Sequence, residues 1–332
     1  MDLSTSAERP TTVPVRGGPA RPGGPASRLR VYLRLAKASF LLDYYLSVAV
    51  VLTALVPHSP ITGAVLLTVV LFMLGQLGVV SAVMSFDDVN GFLDGSDRAN
   101  YVGADGEPLR PLERKPLLTG ALTLRQATRF GFLALAWGVA LWSITAAQAV
   151  HRPWWALAVT GLVLATSWQY SYGLKLSYRG WGELLIAGCP TAIVAAPYGY
   201  LSGHLPSLVL VEALLFGLWQ ILVSAYSNTK DIDGDGAVGR STVAVRTSER
   251  GNLRFIGALT ALDLLLICGP AAVGWTPWWT APVLLPVIAL RLRQFTTFRR
   301  GGDALLARRR GVVAFRTGVA CLVLVNLIQL AR

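Results

Sequence analysis

The stretch that decides the fold is ITGAVLLTVVLFMLGQLGVVSAVMSFDDVNGFLDGSD, residues 61–97. From Ile61 to Met84 it holds no charged side chain; Asp87, Asp88, Asp94 and Asp97 then follow within a few residues. An uncharged run of this length matches the roughly 20 residues that a helix needs to cross a bilayer. The carboxylates gather where that run ends, so they have to be explained together with it.

The rest of the chain repeats the apolar theme. Its 332 residues are 53% hydrophobic and only 14% charged, against roughly 25% charged in an average soluble domain. Charge clusters and Pro/Gly breaks divide it into about nine apolar spans: Leu33–Val56, Ile61–Phe86, Leu124–Ala147, Pro153–Tyr172, Trp181–Leu201, Leu205–Ser227, Leu253–Ala272, Pro277–Arg293 and Gly311–Leu330. The spans predict an all-α, polytopic membrane protein.

The net charge of +12 then has a topological meaning and is not a nucleic-acid footprint. Basic residues fall in the N-terminal tail and in alternate connections, which hold Arg98, Arg110, Arg114 and Lys115; Lys175 and Arg179; Lys230, Arg240, Arg246 and Arg250; and Arg299, Arg300, Arg308, Arg309 and Arg310. The intervening connections carry only Arg152. This alternation predicts an inner or plasma membrane protein with a cytoplasmic N-terminus. Trp154, Trp155, Trp278 and Trp279 mark span ends on the sparse side, as an interfacial aromatic belt would. Residues 1–30, rich in Pro, Gly and Arg and without a secretory signal, read as a disordered cytoplasmic tail, with residues 31–332 as the transmembrane domain. Cys189, Cys268 and Cys321 lie singly in apolar runs and read as buried thiols.

A second acidic stretch, YSNTKDIDGDGAVGRSTVAVR (residues 226–246), holds Asp231, Asp233 and Asp235. Seven of the chain's 18 acidic residues therefore sit in two short segments, both at ends of spans on the predicted cytoplasmic side. Asp231 and Asp235 are four residues apart and share a face if helical. Like charges this close require a cation. Oxygen donors without His or Cys suit Mg2+ or Ca2+. Mg2+ uses one or two carboxylates and completes its shell with water and phosphate oxygens. The D-x-D-x-D-G spacing of residues 231–236 also opens an EF-hand loop, but Thr242 stands where that loop needs a bidentate Glu. Two Asp clusters, nearby Lys and Arg, and an apolar bundle suit a diphosphate head with a hydrocarbon tail, as in an isoprenyl diphosphate. Turn formation alone would also explain DGSD and DGDG.

These residues resemble the UbiA superfamily of intramembrane prenyltransferases, in particular its naphthoate-prenylating branch. In the first signature, N-D-x-x-D-x-x-x-G-x-D, Asp87 takes the Asn position, Asp88, Gly95 and Asp97 match, and Gly91 replaces the middle Asp. Asp94 is an extra carboxylate that could stand in for the missing one. The second signature is met by Asn228, Asp231, Asp235, Gly239, Arg240, Thr242, Val243, Ala244 and Val245. RKPLLTG (residues 114–120) and YSYGLKLSYRGWGELL (residues 170–185) are similar to two further family elements.

The resemblance implies a bundle of about nine helices around a central apolar cavity that opens at the cytoplasmic face. It implies Mg2+-assisted ionisation of an isoprenyl diphosphate and transfer of the prenyl group to an aromatic or quinoid acceptor. Asp88, Asp94, Asp97, Asp231 and Asp235 would hold Mg2+, with Asp87 beside them. Lys115, Lys175, Arg179, Lys230, Arg240 and Asn228 would bind the diphosphate. Trp168, Tyr170, Tyr172 and Tyr178 could offer π-faces to an allyl cation. Asp43 and Glu212, within spans, are candidates because intramembrane acids are costly; Asp43 could instead pair with Lys37, and Glu183 could simply favour its helix N-terminus. Two other activities stay open. The departures at Asp87 and Gly91 are compatible with a terpene cyclase of this type, which needs no acceptor, and intramembrane acids also occur in transporters.

Overall fold

The computed structural model describes residues 25–103 and 105–332. The expected tail lies mostly outside the described residues, although a helix already begins at Pro25. The fold is all-helical, and the only β-pairing among the described residues is a bridge between Val102 and Pro108. In chain order the helices are α1 Pro25–Leu35, α2 Ala38–Leu55, α3 Gly63–Asp94, α4 Ser96–Tyr101, α5 Leu124–Gln148, α6 Trp154–Thr166 and α7 Gly182–Ser202. They continue as α8 Ser207–Lys230, α9 Ile232–Ala237, α10 Val243–Arg246, α11 Glu249–Ala272, α12 Thr280–Val283, α13 Leu285–Arg299 and α14 Ala304–Leu330.

Each expected span has its helix, but length does not confirm nine crossings. Six helices among the described residues are long and apolar enough to cross a bilayer, and a seventh is added if α1 and α2, bent by 68°, form one span. At 13 and 15 residues, α6 and α13 rise only about 20–23 Å, short of a hydrocarbon core of about 30 Å. The chain is a multi-pass membrane protein.

The acidic ends extend beyond the spans. α3 continues past Phe86 to Asp94, so Asp87 and Asp88 lie on its last turns rather than in a loop. Asp94 then accepts from the backbone N–H of Ser96 at 3.0 Å and from its hydroxyl at 2.8 Å. This turn redirects the chain into α4, which carries Asp97. At the other cluster α8 stops at Lys230, Asp231 caps its end, and α9 carries Asp235.

The core runs through α2, α3, α5, α7, α8 and α14. Phe72 of α3 stacks on Trp142 of α5 at 4.9 Å, and the Trp142 indole N–H donates to the Phe72 carbonyl at 2.9 Å. A buried ion pair holds the C-terminal helices: Arg291 of α13 lies 3.7 Å from Asp263 of α11, which accepts from Trp219 of α8 at 2.7 Å. Both partners are fully buried, so each compensates a charge that hydrocarbon would otherwise not tolerate. Asp43 does not pair with Lys37. It bonds Arg316 of α14 at 2.7 Å, because α14 and not the α1–α2 junction runs beside that face of α2. Glu212 is fully buried in α8, away from the cavity described below. The reading of all three cysteines as buried does not hold: Cys268 is exposed, because its position on α11 faces outward from the bundle, and Cys189 and Cys321 are only half-buried.

Candidate active site

One cavity of about 500 Å³ brings the two acidic segments together. Asp87, Asp97, Asp231 and Asp235 all line it. Its inner wall is apolar, with Val79, Val80, Val83 and Met84 of α3 opposite Ile186 and Ile193 of α7. Seven basic side chains, Lys37, Arg110, Arg114, Lys115, Arg240, Arg308 and Arg309, also line it. Cations outnumber carboxylates, so the polar end of the cavity suits an anionic ligand.

The ion pairs show how the segments are joined. Arg240, after α9, reaches Asp87 of α3 at 3.2 Å and lies 3.8 Å from Asp235. Its main-chain N–H also donates to the Asp235 carbonyl at 2.9 Å, which fixes the turn that aims the guanidinium across the cavity. Asp88 is 1% exposed and holds two lysines, Lys115 at 2.8 Å and Lys37 at 2.9 Å. Lys115 also contacts Asp97 at 2.5 Å. Arg110 pairs with Asp231. Lys37 adopts a left-handed backbone, φ 49°, at the α1–α2 break. Such a conformation is strained for a residue with a Cβ and points to a constraint at this corner; the ion pairs of Lys37 with Asp88 and, at 3.6 Å, with Asp87 supply one.

Burial, opposed by Arg240 and reinforced by Asp231, raises the Asp235 carboxyl to about 7. Burial, opposed by Lys115 and reinforced by Asp88, raises Asp97 to about 6. Burial pulls the Lys115 ammonium down, but Asp88, Asp97 and Asp87 outweigh it and leave the group above its usual range. Burial, more than any lack of nearby cations, therefore keeps these two carboxyls above the ordinary carboxylate range.

Two glycines allow the close approach. A Cβ on Gly91 would fall 2.7 Å from the Asp97 carboxyl carbon. The Asp97 carboxylate therefore fills the space of the side chain missing from the first signature. A Cβ on Gly234 of α9 would fall 2.2 Å from Asn100 of α4, so the bare backbone lets the two acidic helices touch. Gly234→Val is expected to lower turnover at least tenfold while leaving the yield of folded protein in membranes unchanged. Steady-state kinetics together with size-exclusion profiles would check this, and full activity in the variant would refute the spacing argument.

The remaining predicted residues separate clearly. Asn228 lines the cavity and donates to Glu183 at 3.4 Å. Glu183 also accepts from the Val243 N–H at 2.8 Å, so it ties the second signature to α7 rather than only favouring a helix end. Tyr170 lines the cavity beneath Arg240, whose guanidinium lies 6.0 Å from its ring. Trp168 and Tyr172 instead pack with Phe86 away from the cavity lining. Asp94, expected among the Mg2+ ligands, lies outside the lining; it accepts from Asn90 at 3.0 Å, from Ser96 and from the Tyr178 hydroxyl. Lys175, Arg179 and Lys230, expected on the diphosphate, are exposed and outside the lining. Lys175 rests on the Tyr178 ring at 5.3 Å; the cap segment turns its basic side chains outward. Sequence reasoning missed Lys37, Arg110, Arg114, Arg308 and Arg309. As basic residues beside spans they carry the same signal as any cytoplasmic anchor.

The donor set is compatible with Mg2+. Among the described residues no three His, Cys, Asp or Glu side chains converge tightly enough to enclose a metal by themselves. Mg2+ does not require that, since substrate phosphates and water complete its octahedron. The ligands available are hard carboxylate oxygens; Asp88, also expected among them, lies outside the lining with Oδ1 on Lys115 and Lys37, and its Oδ2 is buried without a hydrogen-bond partner. Asp87, Asp97, Asp231 and Asp235, around the cavity, are the residues that could hold the ion.

Comparison with known proteins agrees with this geometry. The chain is 26% identical over 210 residues to digeranylgeranylglyceryl phosphate synthase of Natronomonas pharaonis, covering 63% of this chain and 70% of that protein. It is 26% identical over 218 residues to 1,4-dihydroxy-2-naphthoate octaprenyltransferase of Bacillus subtilis, covering 64% of this chain and 65% of that protein. Its fold is similar to a UbiA homologue from Archaeoglobus fulgidus solved with DMAPP and Mg2+, with TM-score 0.62, 16% identity and coverage of 90% and 99% of the two chains. The model of the UbiA prenyltransferase family matches residues 44–319, and the chain belongs to that family of prenyltransferases.

Proposed function

We propose that this protein binds an isoprenyl diphosphate with Mg2+ at the acid-lined end of its cavity and transfers the prenyl group to an aromatic or quinoid acceptor. The observation that carries the reading is a single cavity with both aspartate segments and an excess of basic side chains at one end and apolar walls beyond. The Mg2+-bound Archaeoglobus fulgidus homologue supports the metal and donor class, and the naphthoate prenyltransferase of Bacillus subtilis supports the acceptor class. The basic connections favour placing this end at the cytoplasmic side.

Mg2+, when bound, supplies Lewis-acid stabilisation of the leaving diphosphate. The chain supplies the rest. Arg240 and Lys115 hold the diphosphate oxygens and receive the negative charge that grows as the C1–O bond breaks. Val79, Val83 and Met84 exclude water from the allyl cation. The π-face of Tyr170 stabilises positive charge near the head group. An electron-rich ring carbon of the acceptor then bonds C1, and its proton leaves to solvent.

Purified protein incubated with Mg2+ and a panel of prenyl diphosphates, with and without phenolic or naphthoate acceptors, tests this. Prenylated acceptor and free diphosphate are expected together, and EDTA is expected to lower the rate by at least about a hundredfold. A terpene hydrocarbon or alcohol formed without acceptor would identify a cyclase. Absence of diphosphate release from every donor would overturn both readings.

A further inference from the structure

The inner end of the cavity is not purely apolar. On α3 the lining residues are Gln76, Val79, Val80, Val83, Met84 and Asp87, and Gln76 is the innermost. On α8 the innermost lining residue is Gln220. Each glutamine precedes the cavity-lining aspartate of its own helix by eleven residues, Asp87 and Asp231 respectively. At 1.5 Å per residue both amides therefore lie about 16 Å below the acidic end.

These amides are unpaired where it matters. Gln76 is 1% exposed; its Nε2 donates to the Tyr44 carbonyl at 3.1 Å, which orients the group, and its Oε1 has no partner. The Nε2 of Gln220 is buried and also lacks a partner. One turn further along α3, Phe72 stacks on Trp142, which itself lines the cavity. A hydrocarbon pressed against an unpaired buried amide leaves that amide desolvated and unmatched. A shorter chain leaves room for water to reach each amide.

On the basis of the donor class proposed above, we propose that Gln76 and Gln220 form a polar floor that sets the length of the donor tail. A prenyl unit adds four carbon–carbon bonds of about 1.5 Å each in zigzag, so about three units span the depth and a fourth meets the amides. The floor makes this chain selective for a farnesyl-sized donor over a geranylgeranyl-sized one.

The test uses the full chain in detergent with Mg2+, titrated with the thiolodiphosphate analogues of geranyl, farnesyl and geranylgeranyl diphosphate, which resist ionisation. The wild-type protein is expected to bind the farnesyl analogue roughly tenfold more tightly than the geranylgeranyl one. Gln76→Met and Gln220→Met, close in shape but apolar, are expected to remove that gap by tightening the longest ligand roughly tenfold. The geranyl analogue should be unaffected. Gln220→Met makes the test independent of the Gln76–Tyr44 bond, should loss of that bond impair folding. Equal wild-type affinity for the two longer tails, or an unchanged ratio in the variants, would overturn the floor and leave the proposed function standing. Failure of the wild-type protein to bind any of the three would overturn both.

Discussion

Asp231→Asn is expected to lower kcat/KM for the prenyl diphosphate by about a thousandfold, in line with losing one preorganised charge at a reacting centre. Asp231 caps α8 and lines the cavity. The substitution keeps the size of the side chain and its ability to accept a bond from Arg110 but removes the charge that a divalent ion needs. Folding should survive, since the Asn side chain replaces the Asp without a void. Initial rates over a range of Mg2+ concentrations would locate the loss: a metal ligand shifts the Mg2+ dependence, a purely structural residue does not. Retention of more than a tenth of wild-type activity would remove Asp231 from the metal set.

Asp88→Asn should damage both stability and activity. The carboxylate is 1% exposed and compensates Lys37 and Lys115 together. Removing one partner of a buried pair costs about 3–5 kcal/mol because the other charge stays desolvated. Here two ammonium groups remain, with Asp97 and Asp87 as their residual partners. Thermal unfolding in detergent should show a clear fall in Tm, and turnover should drop at least about a hundredfold as Lys115 loses its position. Adding Lys37→Met removes one orphaned charge and should restore part of the stability but none of the turnover. If Asp88→Asn melts with the wild-type protein, the buried cluster contributes no stability and its proposed positioning role fails.

The acids and bases of this site were unequally legible in the sequence. Aspartates are rare in an apolar chain, so Asp87, Asp97, Asp231 and Asp235 stood out against their background. Lysines and arginines next to spans are common for topological reasons, so nothing in the sequence separated Lys37 or Arg110, which face the cavity, from Lys175 and Arg179, which face outward. The aromatic candidates divided for the same reason: Tyr170 and Tyr172 are two residues apart, yet only Tyr170 lines the cavity.

By itself the sequence determined the helical membrane architecture, because uncharged runs of bilayer length have no other stable arrangement. It also drew attention to the two aspartate segments, because clustered carboxylates are rare in an apolar chain and call for compensating cations. Only the tertiary structure decided which side chains meet. Asp94 turned to hold Ser96 at the α3–α4 corner while Asp97 took the space left by Gly91, and Arg240 bridged Asp87 to Asp235 across 147 intervening positions. Such partnerships depend on helix rotation and on close approaches of a few ångströms, such as that of Gly234 to Asn100. Packing fixes these, and local sequence does not encode them.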